Sequence, residues 1–281
     1  MASHRIYRYT SIGRPLDPKY PTNMAVLLLM PVAALLGIVI ALMAGETGTA
    51  AALHGVAFLL IIFASWALAR ELDPDDNPAA FIAMAVAAYA ALTVDSPGIL
   101  IAFAALGLVR IVNRSTGLAA RKTDSIVMLL LTFWVIYGTE SPMFGVVAAL
   151  AFILDGTLNN PLRHQWFFGL ICLGGAIVYI IDHDIGLGSL AAPDSLFEWM
   201  MLLFLLIFAL NMLLLKRVFS KGDIGGEQLD VARVKGGMAV GLLAALQGIN
   251  RPEGVVIIVA AIAGICIGMA FRKRFKTPVG R

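Results

Sequence analysis

Charged residues are scarce in this chain. Only 14% of its 281 residues are Asp, Glu, Lys or Arg, whereas 60% are hydrophobic, and an ordinary soluble domain carries about 25% charged residues. A mean hydropathy of +0.88 agrees with this imbalance. Apolar segments recur from Asn23 to Phe271, and a bilayer core needs roughly 20 apolar residues per crossing helix. The composition therefore excludes a soluble globular domain and favours a membrane protein.

Several chemical signatures are also missing. The two cysteines, Cys172 and Cys266, lie in apolar segments without a CxxC partner, which argues against a disulfide framework or a cysteine metal site. The sequence contains no nucleotide-binding GxxxxGK[ST] or GxGxxG loop and no GxSxG nucleophile motif. No Asp, Glu or Lys falls in the middle of a predicted helix, so a pump with a buried carboxylate is disfavoured. We expect no cofactor and no binding of nucleic acid.

The apolar segments are continuous and lack the alternation of a barrel strand. Proline after Asn or Ser marks helix starts, as at Asn77-Pro78 and Ser141-Pro142. We therefore predict an all-α polytopic integral membrane helical bundle, with about ten transmembrane helices arranged as five hairpins. The predicted organisation is an interfacial N-terminal segment (1–22), a single transmembrane domain (23–271) and a basic tail (272–281). The first predicted helices are helix 1 at about 23–44, helix 2 ending at 70, helix 3 between 78 and 95, helix 4 from 97 to 112, helix 5 at 124–137 and helix 6 from 142 to 154. The later ones are helix 7 at about 166–181, helix 8 at 196–219, helix 9 at 236–248 and helix 10 at 252–271.

Helices 3 to 6 are shorter than the others. Helix 3 has about sixteen residues, or roughly 24 Å at 1.5 Å per residue, which is less than the hydrocarbon thickness. Hairpins 3–4 and 5–6 therefore either span the membrane or re-enter on one side, and acids in their turns favour spanning. Similar outer turns leave a true duplication of the hairpin and ordinary turn chemistry equally open. Small-residue stripes on helices 3, 9 and 10 predict close packing within the chain.

Basic residues are distributed unequally between the two sides of the predicted bundle. Twenty of the 21 Lys and Arg residues lie in the terminal segments and even-to-odd loops, and only Arg251 lies opposite. This asymmetry predicts that both termini are cytoplasmic. We expect an integral membrane protein, in a prokaryotic cytoplasmic (inner) membrane, that contacts the lipid bilayer and either membrane protein partners or further copies of itself.

The first candidate site combines an acidic loop after helix 2 with a basic loop after helix 4. Close carboxylates can bind Mg²⁺, and Mg²⁺ together with arginines can bind a phosphate. The alternative is that these loops are solvated and pair with one another. The candidate substrate- or phosphate-binding residues are Asp73, Asp75, Asp76, Arg110, Arg114, Arg121 and Lys122.

Two further candidate sites lie on the opposite, outer side. A ring of acidic turns would attract cations if the hairpins surrounded an axis; its members are Glu46, Asp95, Glu140 and Asp184. A mixture of His and Asp could bind a metal ion; the weak candidates are His54, Asp182 and His183. The alternative for the ring is ordinary avoidance of positive charge in the outer turns. The alternative for the second group, which we favour, is that adjacent residues do not converge on one metal and that His54 only forms a hydrogen bond within the bundle.

Three classes of function remain. A transporter or channel-like protein for a small solute, ion or lipid explains the number of helices, the short hairpins and the lack of a catalytic set. A non-catalytic subunit of a larger membrane protein complex explains the same features. A Mg²⁺-dependent membrane-embedded enzyme acting on a lipid phosphate at the inner leaflet explains only the acidic and basic loops. We rank these in that order, so no catalytic residues are expected, and the transport hypothesis requires a cavity lined by residues such as Asn211 or Tyr89.

Overall fold

The computed structural model describes residues 6–94, 98–185, 193, 195–249 and 252–275. Over these residues the chain forms α-helices, one short 3₁₀ helix at Pro252–Val255 and a single isolated β-bridge between Lys221 and Gln228. An all-helical fold is therefore confirmed. The helices are α1 Pro21–Met43, α2 Gly48–Leu72, α3 Asn77–Ala91, α4 Ile99–Asn113, α5 Lys122–Gly138, α6 Met143–Asp155, α7 Gln165–Asp182, α8 Leu196–Leu214, α9 Val231–Leu246 and α10 Val256–Phe275.

Several of these helices are long and apolar enough to cross a membrane, which indicates a membrane protein. The five segments that meet both conditions are Pro21–Met43, Gly48–Leu72, Gln165–Asp182, Leu196–Leu214 and Glu253–Phe271. Helices α3 and α4 are apolar but have only 15 residues each, and α6 has 13. The short length predicted for this part of the chain is therefore confirmed.

Helix α4 lies at the centre of the bundle. It packs against α2, α5, α6, α9 and α10, and 11 of its 15 residues are buried. Helices α1 and α8 are peripheral, because only 22% and 17% of their apolar windows are buried. Their exposed residues include large hydrophobic side chains such as Leu28 and Leu213. Apolar surfaces of this extent suit contact with lipid or another protein and not with water.

Small residues bring α3 and α10 unusually close together. A Cβ atom added to Gly264 would lie 2.5 Å from the backbone nitrogen of Ala83, and one added to Gly268 would lie 2.7 Å from the Cβ of Ala79. On α9, a Cβ atom added to Gly237 would lie 1.9 Å from the side-chain oxygen of Asn113. The small-residue stripes therefore serve packing within the chain, as the sequence predicts.

The connection between α3 and α4 reaches the far end of α10. Gly98 has a left-handed backbone with φ of +68°, and a Cβ atom added to it would lie 1.7 Å from the carbonyl oxygen of Gly254. At the opposite end of α10, Gly268 packs against Ala79. The short pair α3 and α4 thus extends along α10 from one end of its apolar segment to the other.

Consecutive helices are not always packing neighbours. Helix α1 packs against α2, and α5 packs against α6, as the hairpin arrangement predicts. Helix α3, however, packs chiefly against α10 and α2, while α4 packs chiefly against α9 and α2. The predicted hairpins therefore exchange partners in the folded bundle, because the closest packing follows the small-residue faces and not the order of the chain.

Two helix boundaries differ by five residues from the predicted ones. Helix α8 ends at Leu214 and not at Phe219, because residues 215–220 leave the helix and the backbone N–H groups of Phe219 and Ser220 donate hydrogen bonds to Asp75. Helix α9 begins at Val231 and not at Gly236, because the Asp230 side chain accepts a hydrogen bond from the backbone N–H of Arg233. An aspartate in this position is a strong helix start signal.

Candidate functional site

The N-terminal segment and the even-to-odd connections meet at one end of the bundle. We call this end the basic face; it is formed by residues 6–20, 73–76, 114–121, 156–164 and 215–230. Long-range ion pairs and hydrogen bonds join these stretches to one another and to the adjoining helix ends, including Arg14 to Glu71, Arg114 to Asp155 and Phe219 to Asp75. The structure therefore brings together the loops in which most of the basic residues lie.

Glu71, at the end of α2, is buried between two arginines. Its Oε1 atom lies 2.9 Å from Nε of Arg110 and 3.1 Å from Nη1 of Arg14, and only 1% of the side chain is exposed. Arg14 also forms a two-pronged ion pair with Asp223, through distances of 2.8 and 2.6 Å. Bidentate pairs of this kind are among the stronger ionic contacts. They attach both the N-terminal segment and the connection between α8 and α9 to the bundle.

Tyr7 and Arg14 extend this network over the N-terminal segment. The Tyr7 hydroxyl donates a 3.0 Å hydrogen bond to Asp223. Burial and the neighbouring Asp223 carboxylate raise the pKa of Tyr7 to about 12, so the phenol stays a proton donor at physiological pH. Burial opposes the charge of Arg14, but Glu71 and Asp223 raise the pKa of its guanidinium above the ordinary value.

Asp155, the last residue of α6, is fully buried and also binds two arginines. Its Oδ1 atom lies 2.7 Å from Nη1 of Arg233 and accepts a 2.9 Å hydrogen bond from Nε of Arg114. Its Oδ2 atom accepts a 3.1 Å hydrogen bond from Gln165, which in turn accepts one from Ser125. This cluster connects the ends of α4, α5, α6, α7 and α9.

A third buried carboxylate fixes the N-terminal segment to the start of α5. Asp124 accepts hydrogen bonds from both the backbone N–H and the hydroxyl of Ser11. The backbone carbonyl of Ser11 accepts a 2.6 Å hydrogen bond from the Thr116 hydroxyl, and Arg121 donates to the carbonyl of Tyr7. Residues 7–14 therefore form an ordered cover over the basic face.

The structure does not gather the predicted substrate-binding residues into one site. Arg110 pairs with Glu71, Arg114 pairs with Asp155, and Arg121 contacts the N-terminal segment. Asp76 accepts a hydrogen bond from the backbone N–H of Ala79 at the start of α3. Three members remain. Asp73 directly follows α2, and Asp75 accepts hydrogen bonds from the α8–α9 connection. Lys122 is exposed at the start of α5.

The outer-side candidates are spread over separate helix ends. Glu46, Glu140 and Asp184 are exposed, and Asp95 lies outside the described residues. His54 is exposed on α2, while the His183 ring stacks on Tyr179 with a centroid distance of 3.9 Å and lies 3.6 Å from Asp182. Across the described residues, no three or more His, Cys, Asp or Glu side chains are grouped so that they could hold a metal ion.

Two cavities open at the basic face, on either side of the connection between α2 and α3. We call the first cavity A; it has a volume of about 630 Å³ and lies among the N-terminal segment, α1, α2 and the α8–α9 connection. We call the second cavity B; it has a volume of about 890 Å³ and lies among α8, α9 and α10. Pro74 lines both cavities, so the acidic loop separates them.

Cavity B is mainly apolar and extends into the bundle. Its lining runs from Asp75 and Phe219 at the basic face to Ile207, the twelfth residue of α8, and Cys266 of α10. Asn211 contributes a polar side chain to this wall, as the transport hypothesis requires. Tyr89, the other residue named by that hypothesis, is 72% exposed on α3 and lies away from the cavity lining.

Sequence reasoning missed the residues that distinguish cavity A. The sequence analysis counts Arg70 among the basic residues of one side and assigns no role to Asn23 or Trp66. Trp66 and Arg70 are four residues apart on α2, a spacing that places two side chains on the same face of a helix. The Arg70 guanidinium lies 5.0 Å from the centre of the Trp66 ring, in a cation–π contact. That spacing was the signal available in the sequence.

No protein-family model matches this chain, and no curated protein or solved structure matches it either. The proposals below therefore rest on the geometry of the basic face and its two cavities.

Proposed function

We propose that this protein is a membrane transport protein for a small solute, ion or lipid, with its basic face in the cytoplasm. The observation that carries the proposal is cavity B, which extends from the basic face to about the middle of α8. A transporter needs such a cavity because its substrate must leave the aqueous phase or the leaflet and reach the interior of the bundle.

The lining of cavity B favours an apolar or amphipathic substrate. Leu210, Leu214 and Met238 supply apolar walls, while Asn211 supplies both a donor and an acceptor. Ligand sites commonly combine apolar walls with a few polar groups that set orientation. Asp75 and Arg217 lie at the mouth of the cavity, where a polar headgroup could remain in contact with water.

The arrangement of the helices supports ten membrane crossings. All even-to-odd connections contribute to the basic face, which requires the chain to return to that face after each pair of helices. The α3–α4 connection reaches Gly254 at the far end of α10, so this short pair extends as far as a helix of spanning length. The excess of Lys and Arg on the basic face favours a cytoplasmic position for it.

A subunit role in a larger membrane assembly is the second candidate. It is favoured by the exposed apolar faces of α1 and α8, which cover much of the bundle's side. The enzyme hypothesis has less support, because Asp75, Asp76 and Arg114 are already engaged in contacts within the chain.

Cysteine accessibility tests the proposal directly. Asn211→Cys is made in a Cys266→Ala background and treated with a membrane-impermeant methanethiosulfonate reagent in inside-out vesicles. We expect Asn211→Cys to react about tenfold faster than a thiol facing lipid, because the reactive thiolate forms only where water has access. Leu206→Cys provides the matched control, since Leu206 lies on the same helix and is 58% exposed.

Protection from the reagent completes the test. A transported solute added at saturating concentration should slow the reaction of Asn211→Cys and leave that of Leu206→Cys unchanged. If Asn211→Cys and Leu206→Cys react equally slowly from both sides of the membrane, cavity B does not admit water and the transport proposal is wrong.

A further inference from the structure

Cavity A is lined by four basic residues and by three acidic ones, Asp17, Glu71 and Asp223, which leaves one positive charge in excess. Of its four basic lining residues, Arg14 and Arg110 are paired with Glu71. The other two, Arg70 and Lys221, have no carboxylate within salt-bridge distance among the described residues. An unpaired guanidinium beside a cavity in a largely apolar bundle is a favourable partner for an anion.

The chain holds Arg70 in position without neutralising it. Its Nη1 atom donates a 2.9 Å hydrogen bond to the side-chain oxygen of Asn23, and its guanidinium rests on the ring of Trp66. Asn23 is itself fixed, because its Nδ2 atom donates to the carbonyl of Asp17. Both partners of Arg70 are neutral, so the fork of remaining N–H donors is oriented but retains its full charge.

Trp66, which also lines cavity A, carries a buried donor that no group in the described part of the chain satisfies. Its side chain is 97% buried, since only 3% of it is exposed, and it lines cavity A. Its Nε1–H group has no hydrogen-bond acceptor within the described part of the chain. A buried tryptophan usually finds an acceptor, and leaving such a donor unsatisfied costs about 1–3 kcal/mol. An acceptor supplied by a ligand would remove that cost.

The floor of cavity A is apolar. Phe63 and Ala67 line it on α2, and Phe63 lies seven residues before Arg70, or roughly 10 Å deeper along the helix axis. The Phe63 ring also stacks on Phe103 with a centroid distance of 6.2 Å. The cavity therefore has a cationic rim and a hydrocarbon-like interior.

We infer that cavity A binds a phosphate-bearing anion, whose phosphate oxygens accept hydrogen bonds from the Arg70 guanidinium and from Nε1–H of Trp66. The phosphate could belong to a lipid headgroup or be free in solution, and the apolar floor would hold the first carbons of a lipid. This site is separate from cavity B, so it does not depend on the proposed transport function.

Native mass spectrometry of the full-length protein in a neutral detergent tests the inference. Dioleoyl phosphatidic acid is titrated against dioleoylglycerol, which has the same chains but no phosphate. We expect phosphatidic acid to bind about tenfold more tightly or better, as charge-assisted hydrogen bonds to one group predict. Inorganic phosphate is titrated separately, and as a competitor, to distinguish the two sources of phosphate.

Three substitutions locate the binding. Arg70→Gln removes the charge, and Trp66→Phe removes only the Nε1–H donor and keeps a ring below the guanidinium. Asn23→Asp keeps a side-chain oxygen for Arg70 and neutralises the guanidinium, although it loses the hydrogen bond from Nδ2 to the Asp17 carbonyl. Each should weaken phosphatidic acid binding, with Asn23→Asp lowering affinity about tenfold, and the unfolding temperature of each variant shows whether weaker binding reflects weaker folding. Lys122→Gln, an exposed charge on the same face outside the cavity lining, is the matched control.

Each outcome of these titrations either supports one source of the phosphate or overturns the inference. Tight phosphatidic acid binding that the three substitutions weaken supports a lipid headgroup, and phosphate binding with the same dependence on Arg70 and Asn23 supports free phosphate. If phosphatidic acid binds no better than dioleoylglycerol and phosphate does not bind, the inference is wrong. It is equally wrong if Asn23→Asp and Trp66→Phe both bind phosphatidic acid as tightly as Lys122→Gln does.

Discussion

Asp155 places one carboxylate between two arginines at a fully buried position. Arg114 and Arg233 both approach its Oδ1 atom, at 2.7 Å in each case. Removing one member of a buried ionic group leaves the others without compensation, which typically costs about 3–5 kcal/mol. We therefore expect Asp155→Asn, which preserves the shape of the side chain, to lower the free energy of unfolding by about that amount.

Unfolding in mixed detergent micelles measures this loss, with Asp182→Asn as the control. The Asp182 side chain is 75% exposed at the end of α7, so its substitution should change stability by no more than about 0.5 kcal/mol. Equal stability of the two variants would contradict a structural role for the Asp155 cluster.

At the scale of single residues, the sequence reveals the charges but not their pairing. It predicts an acidic loop and a basic loop, and it offers mutual pairing of loops as an alternative to a phosphate site. The observed partners are far apart in the chain: Arg14 and Asp223 are separated by 209 positions, and Arg233 and Asp155 by 78. Only the fold determines which acidic residue pairs with which basic residue. The ion pairs of Arg110 with Glu71 and of Arg114 with Asp155 therefore do not follow from the spacing of these residues in the sequence.

At the scale of helices, the contact between α3 and α10 depends on the absence of a single methyl group. A Cβ atom at Gly264 would lie 2.5 Å from the backbone nitrogen and 2.6 Å from the Cα of Ala83. Neither atom belongs to a flexible side chain, so the helices must separate to admit it. We expect Gly264→Ala to destabilise the protein by about 1–3 kcal/mol, the usual cost of overpacking.

Gly174→Ala is the matched control for this prediction. Gly174 lies within α7, and a Cβ atom added there would have no neighbour within 4 Å. Because alanine is the better helix former by about 1 kcal/mol, this variant should be unchanged or slightly more stable in the same unfolding assay. A destabilisation shared by both variants would show that backbone contact between α3 and α10 is not the cause.

Some helix boundaries depend on residues adjacent in the sequence, and others depend on residues far away in the chain. The start of α3 follows from Asp76, Asn77 and Pro78, which are adjacent in the sequence and provide a side-chain cap and a proline in the first turn. The end of α8 could not be predicted in this way, because Asp75 binds the backbone of Phe219 across 144 positions. The start of α9 is also marked by a local signal, because the Asp230 side chain caps the helix.

At the scale of the whole molecule, the two ends of the bundle are built differently. The basic face is held by buried carboxylates that join five separate stretches of chain, whereas Glu46, Glu140 and Asp184 at the opposite end are exposed. The distribution of Lys and Arg along the sequence predicts that one end of the bundle carries nearly all of the basic residues, but it does not predict that buried carboxylates hold that end together. The number of membrane crossings does not follow from the sequence, since α3 to α6 contain only 13 to 17 residues each.

Engineered protease sites measure that number directly. Three variants each carry one protease recognition sequence. It is inserted after Glu46, after Glu140, or between Gly225 and Gly226, where both glycines have positive φ and open surroundings.

In right-side-out vesicles we expect the protease to cleave the variants with the site after Glu46 and after Glu140 but not the one with the site at Gly225. In inside-out vesicles we expect the reverse. The reason is that both acidic turns lie opposite the basic face if every helix crosses the bilayer. The insertion after Glu46, which follows α1 of unambiguous spanning length, is the control for the one after Glu140. Cleavage after Glu140 only in inside-out vesicles, or in neither preparation, would mean that α5 and α6 re-enter without crossing and that the chain has fewer than ten spans.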